Sequence, residues 1–168
     1  MDGQSTTIGR SFLNRGGDRM VYSELILLGL DVPNAEEAIR RLGARMVDYG
    51  YVRETFVDAV IERERTFPTG LPTSIPVAIP HTDAVHCCRP AIAIGVLTRP
   101  VTFGEMGNPQ GKVDAKVIFL LSITDPSQQV VWLQKLVEAF QHPHFLQHLV
   151  KSRNTEEARS ICQEVLTQ

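Results

Sequence analysis

The reading of this chain turns on the stretch Phe67-Pro68-Thr69-Gly70-Leu71-Pro72-Thr73-Ser74-Ile75-Pro76-Val77-Ala78-Ile79-Pro80-His81-Thr82-Asp83-Ala84-Val85-His86. Its apolar run, 75–79, predicts a strand, with Pro76 marking an edge position or an irregular start. Proline has no amide N–H and a fixed φ, so Pro80 ends sheet pairing. His81 is thereby delivered at the mouth of a strand, where α/β proteins commonly place ligands and reacting groups. A second imidazole, His86, follows in the same loop. Histidines so placed serve as general bases, metal ligands or nucleophiles.

Upstream, Asn34 is a good N-cap and Glu37 falls at N3, a capping box that predicts a helix over 35–49. Ala35, Ile39, Leu42 and Met46 form its apolar face, and Gly50 is its stop. Glu54 or Thr55 opens a second helix with Phe56, Val57, Val60 and Ile61 inward. Arg63, Glu64 and Arg65 close it, and basic residues suit a helix C-terminus. Residues 20–30 fit a strand or a short helix, and 1–19 read as a loose arm with a short strand near 10–13.

Downstream, 91–97 reads as a central strand, apolar on both faces. Residues 99–111 read as a long loop or broken hairpin, and 117–123 as the most apolar strand. Asp125 as N-cap and Pro126 at N1 start a helix over 126–141 that should bury Val130, Leu133, Leu136, Val137 and Phe140. A short helix follows Pro143 to about residue 150. Asn154 with Glu157 starts a last helix over 155–166, burying Ala158, Ile161, Cys162 and Val165. The strand block between helices gives a single layered α/β domain over 20–168.

Composition narrows the function. The 168 residues are 43% hydrophobic and 21% charged, as in a globular chain, and the net charge of −2 comes without a basic block that would suit nucleic acid. The 3 cysteines, Cys87, Cys88 and Cys162, do not make a disulfide framework, which points to a reducing, cytoplasmic setting. No apolar run is long enough for membrane insertion.

His81, His86, Cys87 and Cys88 look rich in ligands, but adjacent cysteines diverge and no second pair completes a zinc site. A hydrolase would need a nucleophile on a sharp turn such as Gly-x-Ser-x-Gly, which is missing. The third option makes His81 itself the nucleophile, carrying a phosphoryl group. A neutral imidazole has a free lone pair near pH 7. Phosphoryl transfer asks mainly for positioning and for an arginine on the oxygens. Arg63 and the Thr69-Gly70 loop stand ready to supply a charge and a close backbone approach.

Arg63-Glu64-x-x-Phe67-Pro-Thr-Gly70, then Val77-Ala-Ile-Pro-His81 and Ala84-Val85-His86, resembles the active-site block of the type-2 IIA components of the bacterial phosphotransferase system. Within this fructose/mannitol-type family the pattern is most similar to the galactitol-type branch. The likeness continues through the apolar strands and the Asp125-Pro126-x-Gln128-Gln129 turn. It implies a mixed β-sheet flanked by helices and a transferase role in uptake of a galactitol-like sugar. It further implies that His81 accepts a phosphoryl group from the phosphohistidine of HPr and hands it to a cysteine of a IIB partner. The membrane IIC component would be involved only indirectly, and no metal or other cofactor is required. By the same resemblance, Arg63 steadies the phosphoryl oxygens. Mannitol-type members carry another histidine at the start of the helix after the last core strand. Here that place reads Gln129-Val130-Val131, which leaves His86 as the candidate second imidazole. Docking between proteins would favour an exposed histidine on a shallow face rimmed by Phe67, Leu71, Pro72 and Val85. A regulatory domain using the same histidine as a switch, and a metal-binding or structural domain, are the competing readings.

Overall fold

The computed structural model describes residues 19–167, and the expected arm with its strand near 10–13 lies outside the described residues apart from Arg19. In chain order the elements are β1 (Val21–Leu30), α1 (Ala35–Asp48), α2 (Phe56–Thr66), β2 (Gly70–Leu71), β3 (Val77–Ala78), β4 (Ala91–Glu105), β5 (Asn108–Ser122), α3 (Pro126–Phe140), α4 (Phe145–Val150) and α5 (Thr155–Leu166). Residues 20–30 thus settle as strand. Register shifts between Val21 and Ile26 and between Leu28 and Leu30 interrupt its alternation, so that Val21 and Ile26 face one core and Leu25 and Leu30 the other.

β4 is central, as its doubly apolar sequence predicts. It pairs parallel with β1 and antiparallel with β5. The two short strands β2 and β3 pair antiparallel with each other, β2 parallel with β4 and β3 parallel with β5. The sheet is therefore mixed and five-stranded. Ile92, Ile94, Phe119 and Leu121 face one core, beneath α3, α4 and α5. Ala91, Ala93, Ile118 and Leu120 face a second core, beneath α1 and α2. Alternate positions of 91–94 and 117–121 thus feed separate apolar layers, giving a three-layer α/β sandwich.

Three expectations change. The strand expected over 75–79 pairs only at Val77–Ala78, because Pro76 and Pro80 have no N–H to donate. It is held on both sides, by β2 and β5, so Pro76 marks an irregular start and not an edge. The loop expected over 99–111 is the far half of a β4–β5 hairpin, turned at Gly107 with φ 74. A register shift between Val96 and Val101 absorbs Pro100, and beyond it Val101 and Phe103 point inward while Thr102 points out. Finally, α3 does not bury Val130 and Val137. It buries Trp132, Leu136, Ala139 and Phe140, and leaves Val130 62% and Val137 38% exposed.

The N-caps form as the sequence predicts, though the described residues show no return bond from Glu37 or Glu157 to the cap amide. Asn34 Oδ1 accepts from the Glu37 amide at 2.9 Å, Asn154 Oδ1 from the Glu157 amide at 2.9 Å, and Asp125 Oδ1 from the Ser127 amide at 3.0 Å. Thr55 sits at the start of α2, but its hydroxyl is not a cap.

Candidate functional site

Residues 77–82 carry the site because β3 lies beside the core strand β5. Lys116 N donates to the Pro76 carbonyl at 2.8 Å, and Leu121 N to the Pro80 carbonyl at 3.1 Å. These bonds pin the chain on both sides of the short strand, so His81 leaves the sheet at a fixed place.

The His81 imidazole is nearly buried, with 6% of the residue exposed, against the expectation of an openly exposed histidine. The apolar chain that delivers it also covers it. Its Nδ1 lies 2.8 Å from the Ile79 carbonyl oxygen. A carbonyl only accepts, so Nδ1 carries the proton, and in the neutral ring Nε2 is left with its lone pair. Burial holds the His81 pKa below its ordinary value, with the nearby Arg63 charge acting in the same direction; the Ile79 carbonyl and Asp83 only partly oppose them. At neutral pH the ring is therefore uncharged and has one nucleophilic nitrogen.

Arg63 stands on the last turn of α2. Its guanidinium lies over the Phe67 ring, 5.3 Å from the centroid. Its Nε is buried and has no hydrogen-bond partner among the described residues. An unpaired buried N–H is a donor awaiting an acceptor, and the charge of the same side chain is felt at His81. Arg65, by contrast, points to solvent and pairs with Glu36 at 2.6 Å.

Thr69 and Gly70 face inward. The Thr69 amide and hydroxyl donate to the Glu64 carboxylate at 2.8 and 2.9 Å. Gly70 lies so close to β4 that a Cβ there would stand 2.5 Å from the Gly104 carbonyl oxygen. Burial pushes the Glu64 carboxyl up to about 7, against the Thr69 hydrogen bonds and the Arg63 charge. Sequence reading attached no site role to Glu64. Its one signal was its place beside Arg63 in the motif.

His86 sits on a short 3-10 turn, Ala84–His86, with Nδ1 2.8 Å from the Thr55 hydroxyl. Its carbonyl accepts from the Arg53 amide at 2.9 Å. The two imidazoles share no hydrogen bond among the described residues: His81 is tied to β3, His86 to the start of α2. Gln129, at the start of α3, donates its Nε2 to the Thr82 carbonyl at 3.5 Å. Cys87 is buried and Cys88 exposed, so the neighbouring thiols do point apart.

An apolar surface borders the site. Ile79, Met106, Val130, Leu133 and Val137 line a shallow groove of about 420 Å³. Met106 also lines an adjoining groove with Phe67 and Pro68. Of the expected rim, Phe67 is 60% and Val85 70% exposed and Pro72 is exposed, while Leu71 packs partly against the core. Met106 and the outer face of α3 were not part of that expectation.

Comparison with known proteins agrees with this architecture. The family model described as the phosphoenolpyruvate-dependent sugar phosphotransferase system, EIIA 2, matches residues 19–165. The galactitol-specific EIIA component of Escherichia coli K12 is 29% identical over 129 residues, which cover 76% of this chain and 85% of that protein. The mannitol-specific phosphotransferase enzyme IIA component of Bacillus subtilis is 28% identical, covering 88% of this chain and 99% of its own. Among solved structures, Escherichia coli IIA mannitol superposes with a TM-score of 0.69 at 24% identity, covering 86% of this chain and 97% of that one. Enzyme IIAMTL in its complex with phosphorylated enzyme IIBMTL, also from Escherichia coli, gives a TM-score of 0.68 at 24% identity, covering 88% and 99%. This chain therefore belongs to the EIIA 2 family of the phosphoenolpyruvate-dependent sugar phosphotransferase system.

Proposed function

We propose that His81 is the phosphoryl carrier of a sugar phosphotransferase system, loaded by the phosphohistidine of HPr and unloaded onto a cysteine of a IIB component. In the loading step the Nε2 lone pair of His81 attacks phosphorus. The P–N bond to the donor imidazole breaks, and its electron pair stays with the donor nitrogen. The His81 Nδ1 proton stays in place, bonded to the Ile79 carbonyl. Unloading is the same displacement with a thiolate as nucleophile. No metal or cofactor is called for, because the incoming group is already activated.

The observation that carries this reading is the Nδ1–carbonyl bond at 2.8 Å, which leaves Nε2 as the one free nitrogen of a neutral ring. The buried Arg63 Nε, without a partner among the described residues, supports it as a donor to the equatorial phosphoryl oxygens. The exposed apolar surface of Phe67, Met106, Val130 and Val137 supports docking of successive partners through a transient interface. Thr69 and Gly70 act from beneath, holding β2 against its neighbours, and His86 braces the loop through Thr55. The galactitol-specific relatives point to a galactitol-like sugar, and the IIA–IIB complex of the neighbour points to the acceptor class.

The test is phosphoryl transfer from phosphoenolpyruvate through Enzyme I and HPr onto wild type, His81→Ala and His86→Ala. Acid-labile labelling lost in His81→Ala and kept in His86→Ala is the expected result. Labelling that survives in His81→Ala overturns the assignment. Labelling without onward transfer to any IIB partner would favour a regulatory domain.

A further inference from the structure

Glu64 is a half-buried carboxylate, one residue from the arginine of the site. Its oxygens are not idle: Oε1 takes the Thr69 amide at 2.8 Å and Oε2 the Thr69 hydroxyl at 2.9 Å. With its proton committed to Glu64, the Thr69 hydroxyl has only lone pairs to offer elsewhere. One faces the Ile79 amide, which donates to Thr69 Oγ1 at 3.2 Å and to the Thr69 carbonyl at 3.3 Å. Ile79 in turn presents the carbonyl that takes the His81 Nδ1 proton at 2.8 Å. A chain of polar contacts thus joins the carboxylate to the reacting ring, through one side chain and one backbone residue.

We propose that Glu64 is a positioning residue: its ionised carboxylate, acting through Thr69 and Ile79, holds His81 in the single tautomer that leaves Nε2 bare. The proposal rests on the phosphocarrier reading for its consequence, but its geometry does not depend on that reading. An ionised carboxylate can only accept, so it dictates the direction of the Thr69 hydroxyl. A protonated carboxyl, or an amide, donates to Thr69 Oγ1 instead and turns the hydroxyl proton away. The hydroxyl proton, no longer directed at Glu64, is free to turn toward the Ile79 amide, and the contact that holds residue 79 is weakened.

The carboxyl titrates near 7 because burial raises it. The charged groups around it are Arg63 beside it and the mutually paired Glu36 and Arg65, which line a groove with Glu64. Uptake of phosphoryl from phospho-HPr should therefore fall as pH drops through about 7, the value set by burial of Glu64. An outer partner that fixes a histidine's tautomer typically changes function about 10- to 100-fold when removed, as around metal-bound histidines.

The experiment uses the full chain as wild type, Glu64→Gln, Thr69→Val and Thr69→Ser. Nitrogen-15 NMR of the His81 ring in the unphosphorylated protein reads the tautomer, and the pH profile of uptake reads the consequence. In wild type above the Glu64 midpoint of about 7 the ring should be one tautomer, protonated at Nδ1, and below it a mixture. In Glu64→Gln and in Thr69→Val it should become a mixture, with uptake reduced at least tenfold and the acid limb near 7 gone. Thr69→Ser, which restores a hydroxyl, should restore the single tautomer. A wild-type tautomer and an unchanged pH profile in Glu64→Gln would overturn the proposal. If Glu64→Gln fails to fold, the Val and Ser variants at position 69 decide by the same tautomer signal. Failure of wild type to accept phosphoryl at all would sink the carrier reading instead, while the tautomer measurement would still judge Glu64.

Discussion

At the scale of single residues the site works by removing alternatives. His81 has two nitrogens, and the Ile79 carbonyl occupies one. Burial keeps the ring neutral, and Arg63 places a positive charge nearby that discourages a second one. Arg63→Ala removes that charge and admits water, and both changes raise the His81 midpoint. An NMR pH titration should show this rise toward the ordinary value of about 6.5. The same variant should lose on the order of 10²- to 10³-fold in phosphoryl uptake, as when one transition-state donor is removed. A midpoint unmoved by Arg63→Ala would contradict the electrostatic account.

His81 and Glu64 set opposite pH dependences of stability. The folded pKa of His81 lies below the unfolded value, so its contribution is intact above about 6.5 and is lost as pH falls below that. The folded pKa of Glu64 is raised to about 7, so its contribution is fullest in acid and declines as pH rises from the unfolded value to about 7. Glu64→Gln removes the second effect. Denaturant unfolding should show Glu64→Gln to be more stable than wild type at pH 8, by about 1–3 kcal/mol, since each tenfold change in proton affinity on folding is worth about 1.4 kcal/mol. The gap should close toward about pH 4.5, where the unfolded carboxyl also holds its proton. A variant better folded yet poorer in uptake is the expected trade at a functional site.

At the scale of elements, α3 has two apolar faces. Trp132, Leu136, Ala139 and Phe140 enter the core, while Val130 and Val137 stand outside beside Met106 and Ile79. Residues 130, 133 and 137 recur at helical spacing just as 132, 136 and 139 do, so periodicity alone did not decide which stripe was buried. Two apolar stripes on one helix are the sign of a helix with a second partner, and that sign was legible. Val130→Lys should leave unfolding stability within about 0.5 kcal/mol, as for exposed positions. It should also slow phosphoryl exchange with HPr in a stopped-flow assay. Trp132→Ala should cost about 3–5 kcal/mol by opening a cavity. Equal effects of the two substitutions on stability would refute the assignment of faces.

The caps at Asn34, Asp125 and Asn154 were readable because a cap is a local contact between residues two or three apart. The far half of the β4–β5 hairpin was harder. Pro100, Gly104, Gly107, Pro109 and Gly111 read as a loop, yet the register shift confines Pro100 to a bulge and Gly107 to the turn. The alternation of Val101, Thr102 and Phe103, matched by Val113, Asp114 and Ala115, was the overlooked strand signal.

At the scale of the whole molecule, three layers bring together groups that are far apart in sequence. The motif residues His81 and Arg63 were legible because type and spacing mark them. The buried state of Glu64 was not, because it depends on β2 being pressed between β3 and β4. Nor was the tie between His86 and Thr55, which needs the 3-10 turn to fold back on the start of α2. Both β4 and β5 carry the two cores, so their packing underlies everything above. Phe119 meets the Phe140 ring at 5.1 Å and the Phe145 ring at 6.5 Å, joining β5 to α3 and α4. Phe119→Ala should cost about 3–5 kcal/mol in denaturant unfolding. A loss below about 1 kcal/mol, as at surface positions, would show that this layer is not the core described.

The most direct test of His81 as carrier is nitrogen-15 NMR of the protein phosphorylated by phospho-HPr. One phosphohistidine is expected, at His81, with phosphorus on Nε2 and the proton still on Nδ1. Phosphorus on Nδ1, or on any residue other than His81, would contradict it.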